Sequence, residues 1–301
     1  MPEPPSEERA RRLREARALV ELGRDQQAAT MLERMLAEAP DDVDVVLVLT
    51  HAYIGIPDLN RALSCADRAA AAAPEASGGH RYRASILVKL GRAEEAVQAG
   101  HSAVRLSPDE PWNLYCLAGA QIESSRLDDA KGTAERLLSL APEWSSAHDT
   151  LGRVALIQGR LAEAGGHFHK ALELDPESMA AMNNLGAAFL KQGKHGEAVR
   201  FFWNALRSRP QSRPARENLN MARAGYFGRG LVLFALLLPL VVLFGDVSKG
   251  LIVGEPRAYG LFLLYILAFL GGWLAFAFVR HRALPRAVRD HLTRAWRSRS
   301  S

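Results

Sequence analysis

His167 and His169 stand two residues apart, a spacing to weigh first as a metal-ligand pair. On a helix, side chains two apart point to nearly opposite faces, so this pair cannot close on one ion. Glu94-Glu95 and Asp128-Asp129 are the paired carboxylates with acid–base potential. Each opens a helix-length segment, where negative charge offsets the helix dipole, so both pairs are expected to be capping residues before they are catalysts. Cys65 and Cys116 have no CxxC or Cys/His spacing, which fits a reducing compartment and argues against a disulfide scaffold. The chain has no Walker loop, HExxH, G-x-S-x-G, dinucleotide fingerprint or zinc spacing. The expectation is a protein that is not an enzyme and takes no cofactor or metal.

The segments that would position any such residues follow a fixed period. Residues 145–178 hold two helix-length stretches, the first marked by Leu151, Gly152 and Ala155 and ended by Gly159. Ala164, Phe168 and Ala171 mark the second, before Asp175-Pro176 breaks the chain. Steps of 34 residues link Pro40, Pro74, Pro108, Pro142, Pro176 and Pro210, six of the 15 prolines. Proline there lets a new helix start while stopping the old one. The same step gives alanine in every copy: Ala28, Ala62, Ala96, Ala130, Ala164 and Ala198. A position that is always small and apolar marks a close crossing of two helix backbones. Between the helices the series runs Gly23, Pro57, Gly91, Ser125, Gly159 and Gly193, all turn or helix-stop residues. A unit of this kind cannot bury its apolar face alone and must stack on a neighbour.

These residues resemble the tetratricopeptide repeat (TPR) family without a gap over residues 9–212. The copies are 9–42, 43–76, 77–110, 111–144, 145–178 and 179–212. The family's first large aromatic is replaced by Arg12, Val46, His80, Leu114, His148 and Met182, and its eighth-position glycine survives only as Gly152 and Gly186. The resemblance implies an all-α, right-handed α-solenoid of six helix pairs, with a groove lined by the first helix of each pair. In the groove-facing rows stand Leu13, Arg17, Asp44, Leu47, His51, Arg81, Ser85, Trp112, Tyr115, Ile122, Asp149, Arg153 and Asn183. Of these, Arg17, His51, Arg81, Trp112, Tyr115, Arg153 and Asn183 are the candidate contacts to a protein or peptide partner. Aromatic and arginine residues are the usual interface anchors, and Trp112 and Tyr115 are the strongest pair. The family's carboxylate-binding set is incomplete: Arg81 and Asn183 occupy suitable rows, but their partners are missing.

Around the repeats, residues 1–8 form a Pro/Glu-rich lead, expected to be disordered and to be neither signal peptide nor anchor. Residues 213–226 read as a capping helix with Pro214 in its first turn and a thin stripe of Ala215, Leu219 and Ala222. Beyond it the composition changes. Residues 230–245 and 258–279 are two charge-free apolar runs of 16 and 22 residues. At 1.5 Å per residue they reach about 24 and about 33 Å, against a hydrocarbon core of about 30 Å. A two-span transmembrane hairpin over 227–279 is expected, its first span extended by Tyr226 and Phe227 with Arg229 snorkelling.

Charge gives the orientation. Residues 1–226 carry 28 Lys+Arg against 30 Asp+Glu, whereas 227–301 carry 10 against 3. The basic balance therefore belongs to the tail and gives no reason to expect nucleic acid. Arginines flank the hairpin on both outer sides, while the loop holds only Lys249 and Arg257. The positive-inside rule puts the repeats and both termini in the cytoplasm of an inner-membrane protein. In the tail 280–301, Leu284, Val288, Leu292 and Trp296 recur every four residues among arginines. That is an amphipathic basic helix suited to anionic lipid headgroups. Of the 38 basic residues 32 are Arg, a usage expected of a GC-rich bacterial genome.

Overall fold

The computed structural model describes residues 5–208, 210 and 212–225. The expected hairpin at 227–279 and basic tail at 280–301 lie outside them. Every described element is a helix, and the 34-residue period sets their starts. The first helices are α1 (Pro5–Glu21), α3 (Val43–Gly55), α5 (Ser77–Lys89), α7 (Pro111–Glu123), α9 (Ser145–Ile157) and α11 (Met179–Lys191). The second helices are α2 (Asp25–Glu38), α4 (Leu59–Ala72), α6 (Ala93–Leu106), α8 (Leu127–Leu140), α10 (Leu161–Leu174) and α12 (His195–Ser208). A further helix, α13, covers residues 213–225. Helix α1 begins at Pro5, inside the segment expected as a disordered lead. Among the described residues no helix is long and apolar enough to cross a membrane.

The chain divides into two compact units, Met1–Arg160 and Leu161–Ser301, with the boundary inside the fifth 34-residue copy. In the first unit α1 to α9 pack in sequence order, each helix on the next and each first helix on the first helix of the next copy. In the second, Leu219 and Ala222 of α13 join Ala198, Val199 and Phe202 of α12 in one apolar cluster.

The inter-helix turn has a single physical solution in all six copies. Gly23, Gly91, Gly159 and Gly193 have φ between 70° and 77°, and Ser125 (φ 62°) and Pro57 (φ 30°) take the same left-handed side. This is the residue past a helix C-terminus that reverses the chain and lets the last carbonyls be satisfied. Arg92 donates to the Leu87 carbonyl (2.9 Å) and Gly91 to Val88 (3.1 Å), and the equivalent pair recurs at Arg126/Ser125 and Lys194/Gly193. At the second copy only Asp58 donates, to Tyr53 (3.0 Å), because Pro57 has no N–H. An added β-carbon at Gly23, Gly91 or Gly159 would meet nothing within 4 Å, so backbone sign, not space, selects glycine there.

Packing explains the invariant alanine. All six of Ala28, Ala62, Ala96, Ala130, Ala164 and Ala198 are fully buried. The eighth position is also small and buried throughout: Ala16, Thr50, Ala84, Ala118, Gly152 and Gly186. The matching row on the second helices reads Leu32, Ala66, Gly100, Ala134, Phe168 and Phe202. Where the second helix carries phenylalanine, the first helix carries glycine. Burying one such ring fully contributes roughly 1.5–3 kcal/mol.

Polar side chains tie neighbouring copies together. Asn113, fully buried, donates from Nδ2 to the carbonyls of Ala103 and Ser107, both at 3.0 Å, and so satisfies the C-terminal end of α6. Arg136 donates to the Pro108 carbonyl (3.0 Å), and Arg68 reaches Pro40 from the matching place. Arg216 of α13 does likewise to Pro210 (2.9 Å). The acidic pairs depart from expectation in one respect. Glu94, Glu95, Asp128 and Asp129 lie inside the first turns, while the N-cap residues are Arg92 and Arg126 with no side-chain cap. The Schellman turn fixes the chain there, so the acids act on the dipole and on Arg92 and Arg126 rather than as caps.

Candidate partner-binding groove

The first helices of the first unit place three of the expected contact residues in one cleft. Arg17 of α1, His51 of α3 and Arg81 of α5 line it, over Val20, Leu47 and Val48, with a volume of about 330 Å³. Tyr82 lines it as well: the Arg81 guanidinium lies 5.4 Å from the Tyr82 ring centre, and the His51 ring 6.2 Å from it. Glu21 and Asp44 stand at the same cleft, and Asp44 is engaged by Arg9 at 3.3 Å.

Farther along the same unit, Trp112 and Tyr115 belong to a three-ring cluster whose third member is Trp144. The Trp112–Tyr115 centroids are 5.8 Å apart with ring planes at 88°; Trp112–Trp144 are 4.5 Å apart and Tyr115–Trp144 5.4 Å. Trp112 remains 52% exposed despite both neighbours. The Tyr115 hydroxyl is pushed above its ordinary range by burial first and by the Asp149 carboxylate second. Arg153 lies close enough to oppose that shift, and it donates to Glu123 at 3.1 Å, linking α9 to α7.

Trp144 was not among the residues expected to bind; the structure places it at the N-cap of α9. The residue just before each first helix is Asp42, Ala76, Glu110, Trp144, Ser178 or Ser212. Asp42, Glu110, Ser178 and Ser212 each accept a bond from the first turn of their helix, whereas Trp144 makes no side-chain cap. A missing cap costs about 0.5–2 kcal/mol. A tryptophan there sacrifices that contribution and gains two aromatic contacts instead.

Other expected groove residues are placed differently. Leu13 and Ile122 are core side chains, 6% and 5% exposed; Ile122 packs on Ala130 and Val154. Asp149 is buried as well, below Tyr115. Asn183, in the second unit, accepts from Asn218 of α13 at 3.1 Å. His169 bonds through Nδ1 to the Gly165 carbonyl (2.7 Å) and packs edge-on to Phe189 and Phe201. Among the described residues no three His, Cys, Asp or Glu side chains converge as metal ligands. Burial raises both thiols, Cys116 to about 11, so each is held protonated at neutral pH and is a poor nucleophile.

Tetratricopeptide repeat models match residues 51–111, 117–178 and 150–213, and a second model of the same repeat matches 12–42. The chain belongs to the tetratricopeptide repeat family. Solved structures share the fold. A tetratricopeptide repeat protein from Parabacteroides merdae ATCC 43184 superposes with TM-score 0.63 at 14% identity, covering 71% of this chain and 84% of that one. The APC/C hetero-tetramer Cut9–Hcn1 gives TM-score 0.61 at 16% identity, over 70% of this chain and 42% of that one. A thermophilic TPR protein of Thermus thermophilus gives 0.56 at 20% identity, over 60% of this chain and 98% of that one. No curated protein matches the sequence.

Proposed function

We propose that this chain is a membrane-anchored repeat scaffold that holds a protein or peptide segment on its first helices and keeps it at the cytoplasmic face of a bacterial inner membrane. The observation that carries the binding half is the Trp112–Tyr115–Trp144 cluster, where a large indole stays half exposed and a helix cap has been given up. Interface energy concentrates in such aromatic anchors. Repeats of this family commonly act as interaction scaffolds and not as enzymes. The anchoring half is supported by the sequence: the apolar runs at 230–245 and 258–279 and the arginines flanking them. Tethering raises the partner's effective concentration at the membrane without any new contact. The basic tail adds contact with anionic headgroups.

Affinity capture from detergent-solubilised membranes tests the binding half. Trp112→Ala with Tyr115→Ala should lose the specific partner. Trp144→Ser should lose it too, yet keep stability within about 1 kcal/mol of wild type, because a restored cap offsets the lost ring contacts. Capture unchanged by all three replacements would shift the reading to a subunit or assembly factor that works through its hairpin.

A further inference from the structure

Net charge changes sign at the last copy. Residues 1–178 carry 20 Lys+Arg against 28 Asp+Glu, whereas residues 179–226 carry 8 against 2. Part of this basic excess stands where the chain leaves the repeats. Helix α13 ends at Gly225, against the turn between α11 and α12: a β-carbon on Gly225 would stand 2.3 Å from the His195 ring. Around that contact are Lys191 in the last turn of α11, Lys194 in the turn itself and Arg223 in the last turn of α13. Both lysines are exposed, and the Lys194 ammonium lies 5.6 Å from the Phe189 ring centre. Of the two acids on these three helices, Glu197 opens α12 at the same end, and Glu217 is held by Arg213 at 2.8 Å.

The tether from this end to the first apolar run is short. That run begins at residue 230, five residues beyond Gly225. Five residues span at most about 18 Å when fully extended. With the run inserted as proposed above, the end of α13 is held within that distance of the hydrocarbon, and headgroups fill roughly the nearest 5–8 Å of it. The gap that remains is comparable to the range of electrostatic attraction at physiological salt, about 8 Å.

We infer that the α11–α12 turn and the close of α13 form a docking face for anionic phospholipid headgroups, which turns this edge of the second unit toward the bilayer and its proline-loop edge away. Arg223 matches a headgroup phosphate through paired hydrogen bonds, and Lys191 and Lys194 meet phosphates as point charges. Basic residues close to a span in sequence serve topology alone in many proteins. Lys191 and Lys194, however, stand 39 and 36 residues before residue 230, and it is the fold that brings them to the exit point. The inference rests on the membrane half of the function proposed above and adds the contact that orients it. The face orients a chain that the apolar runs hold, since a small basic patch without an inserted segment binds only weakly and reversibly.

The test uses the full chain, with Cys65→Ala and Cys116→Ala, reconstituted into phosphatidylcholine vesicles with or without phosphatidylglycerol. A fluorophore is placed on Glu197→Cys at the proposed face or on Glu177→Cys at the opposite edge, two sites separated by the length of α11, about 20 Å. Quenching by a nitroxide on the lipid headgroup is then read. At Glu197→Cys it should rise several-fold when phosphatidylglycerol is present and fall back in high salt, while at Glu177→Cys it should stay low throughout. Lys191→Gln, Lys194→Gln and Arg223→Gln together should remove the rise. Lys191→Arg with Lys194→Arg should keep it, which separates charge from a merely structural role. In a chain that floats with the vesicles, equal quenching at the two sites, no response to phosphatidylglycerol, or a rise that survives the triple replacement overturns the docking face and leaves the anchor standing. A chain that floats with neither kind of vesicle overturns both.

Discussion

A β-carbon placed on Gly186 would stand 2.8 Å from the ring of Phe202, closer than any ordinary carbon contact. The last copy thus fits the largest fully buried side chain of its second helix by removing the smallest group available on the first. Thr50, Ala84 and Ala118 keep a β-carbon at the same position because their second helices carry Ala66, Gly100 and Ala134. Gly186→Ala should destabilise the second unit by about 1–3 kcal/mol through overpacking. Phe202→Leu should recover part of that loss in the double variant, a coupling that neighbouring residues show and independent ones do not. Chemical denaturation of the four proteins of the cycle measures it, and strict additivity would contradict the contact.

The turn residues make a second test. Pro57 sits at φ 30°, a value its ring opposes, and lacks the N–H that the other five turns use. Pro57→Gly should stabilise the first unit, whereas Gly91→Ala at φ 74° should weaken it by about 1 kcal/mol. Thermal melts followed by far-ultraviolet circular dichroism report both. A destabilised Pro57→Gly would mean that the proline's restriction of the unfolded chain outweighs the turn geometry.

Much of this array was legible because a 34-residue period leaves marks at several independent places. The alanine row, the turn row and the proline row each fix the same register, and the structure starts its second helices at that interval. Arg17, His51 and Arg81 could be put on one face by the same register, since rows of first-helix residues face one way. What stayed hidden depends on contacts that no period carries. Trp144 occupies a capping row, and only its packing on Trp112 and Tyr115 shows what it does. Asn183 sits in a groove row but meets Asn218, because α13 has no counterpart inside the repeats. Leu13 and Ile122 fall in groove rows by number, yet both are buried core side chains, which the row number alone does not reveal.

Acid should loosen the start of the array first. Asp42 accepts from Arg9 at 2.5 Å and caps α3 through the Val45 N–H, and Glu38 accepts from Arg12 at 2.6 Å. These hydrogen bonds hold both carboxyls below their usual range. A depressed folded-state pKa contributes stability above the unfolded value and loses it as pH falls through the folded one. Protection of α1 amides from hydrogen exchange, corrected for intrinsic rate, should therefore hold above about pH 5 and decline below about pH 4. Arg9→Ala with Arg12→Ala should be less protected at neutral pH and should show a flatter decline. An equally steep decline in that variant would remove these pairs as the cause.

Orientation across the bilayer is open to direct labelling. Cysteines introduced at Ser248 and at Ser298 should differ toward a membrane-impermeant thiol reagent on intact spheroplasts. If the proposed hairpin holds, the arginines on its two outer flanks predict that Ser248→Cys labels and Ser298→Cys does not. Labelling at Ser298→Cys alone would put the repeats outside the cytoplasm.

The central claim is that reader and anchor are separate parts of one chain, and the sedimentation of the captured partner measures it most directly. With the intact chain, the partner should pellet with membranes. With Trp112→Ala and Tyr115→Ala, the chain should still pellet while the partner stays in the supernatant. With residues 227–301 deleted, chain and partner should remain bound to each other and both leave the membrane fraction. A partner that still pellets with the ring variant, or that no longer binds the chain once 227–301 are gone, would contradict the account.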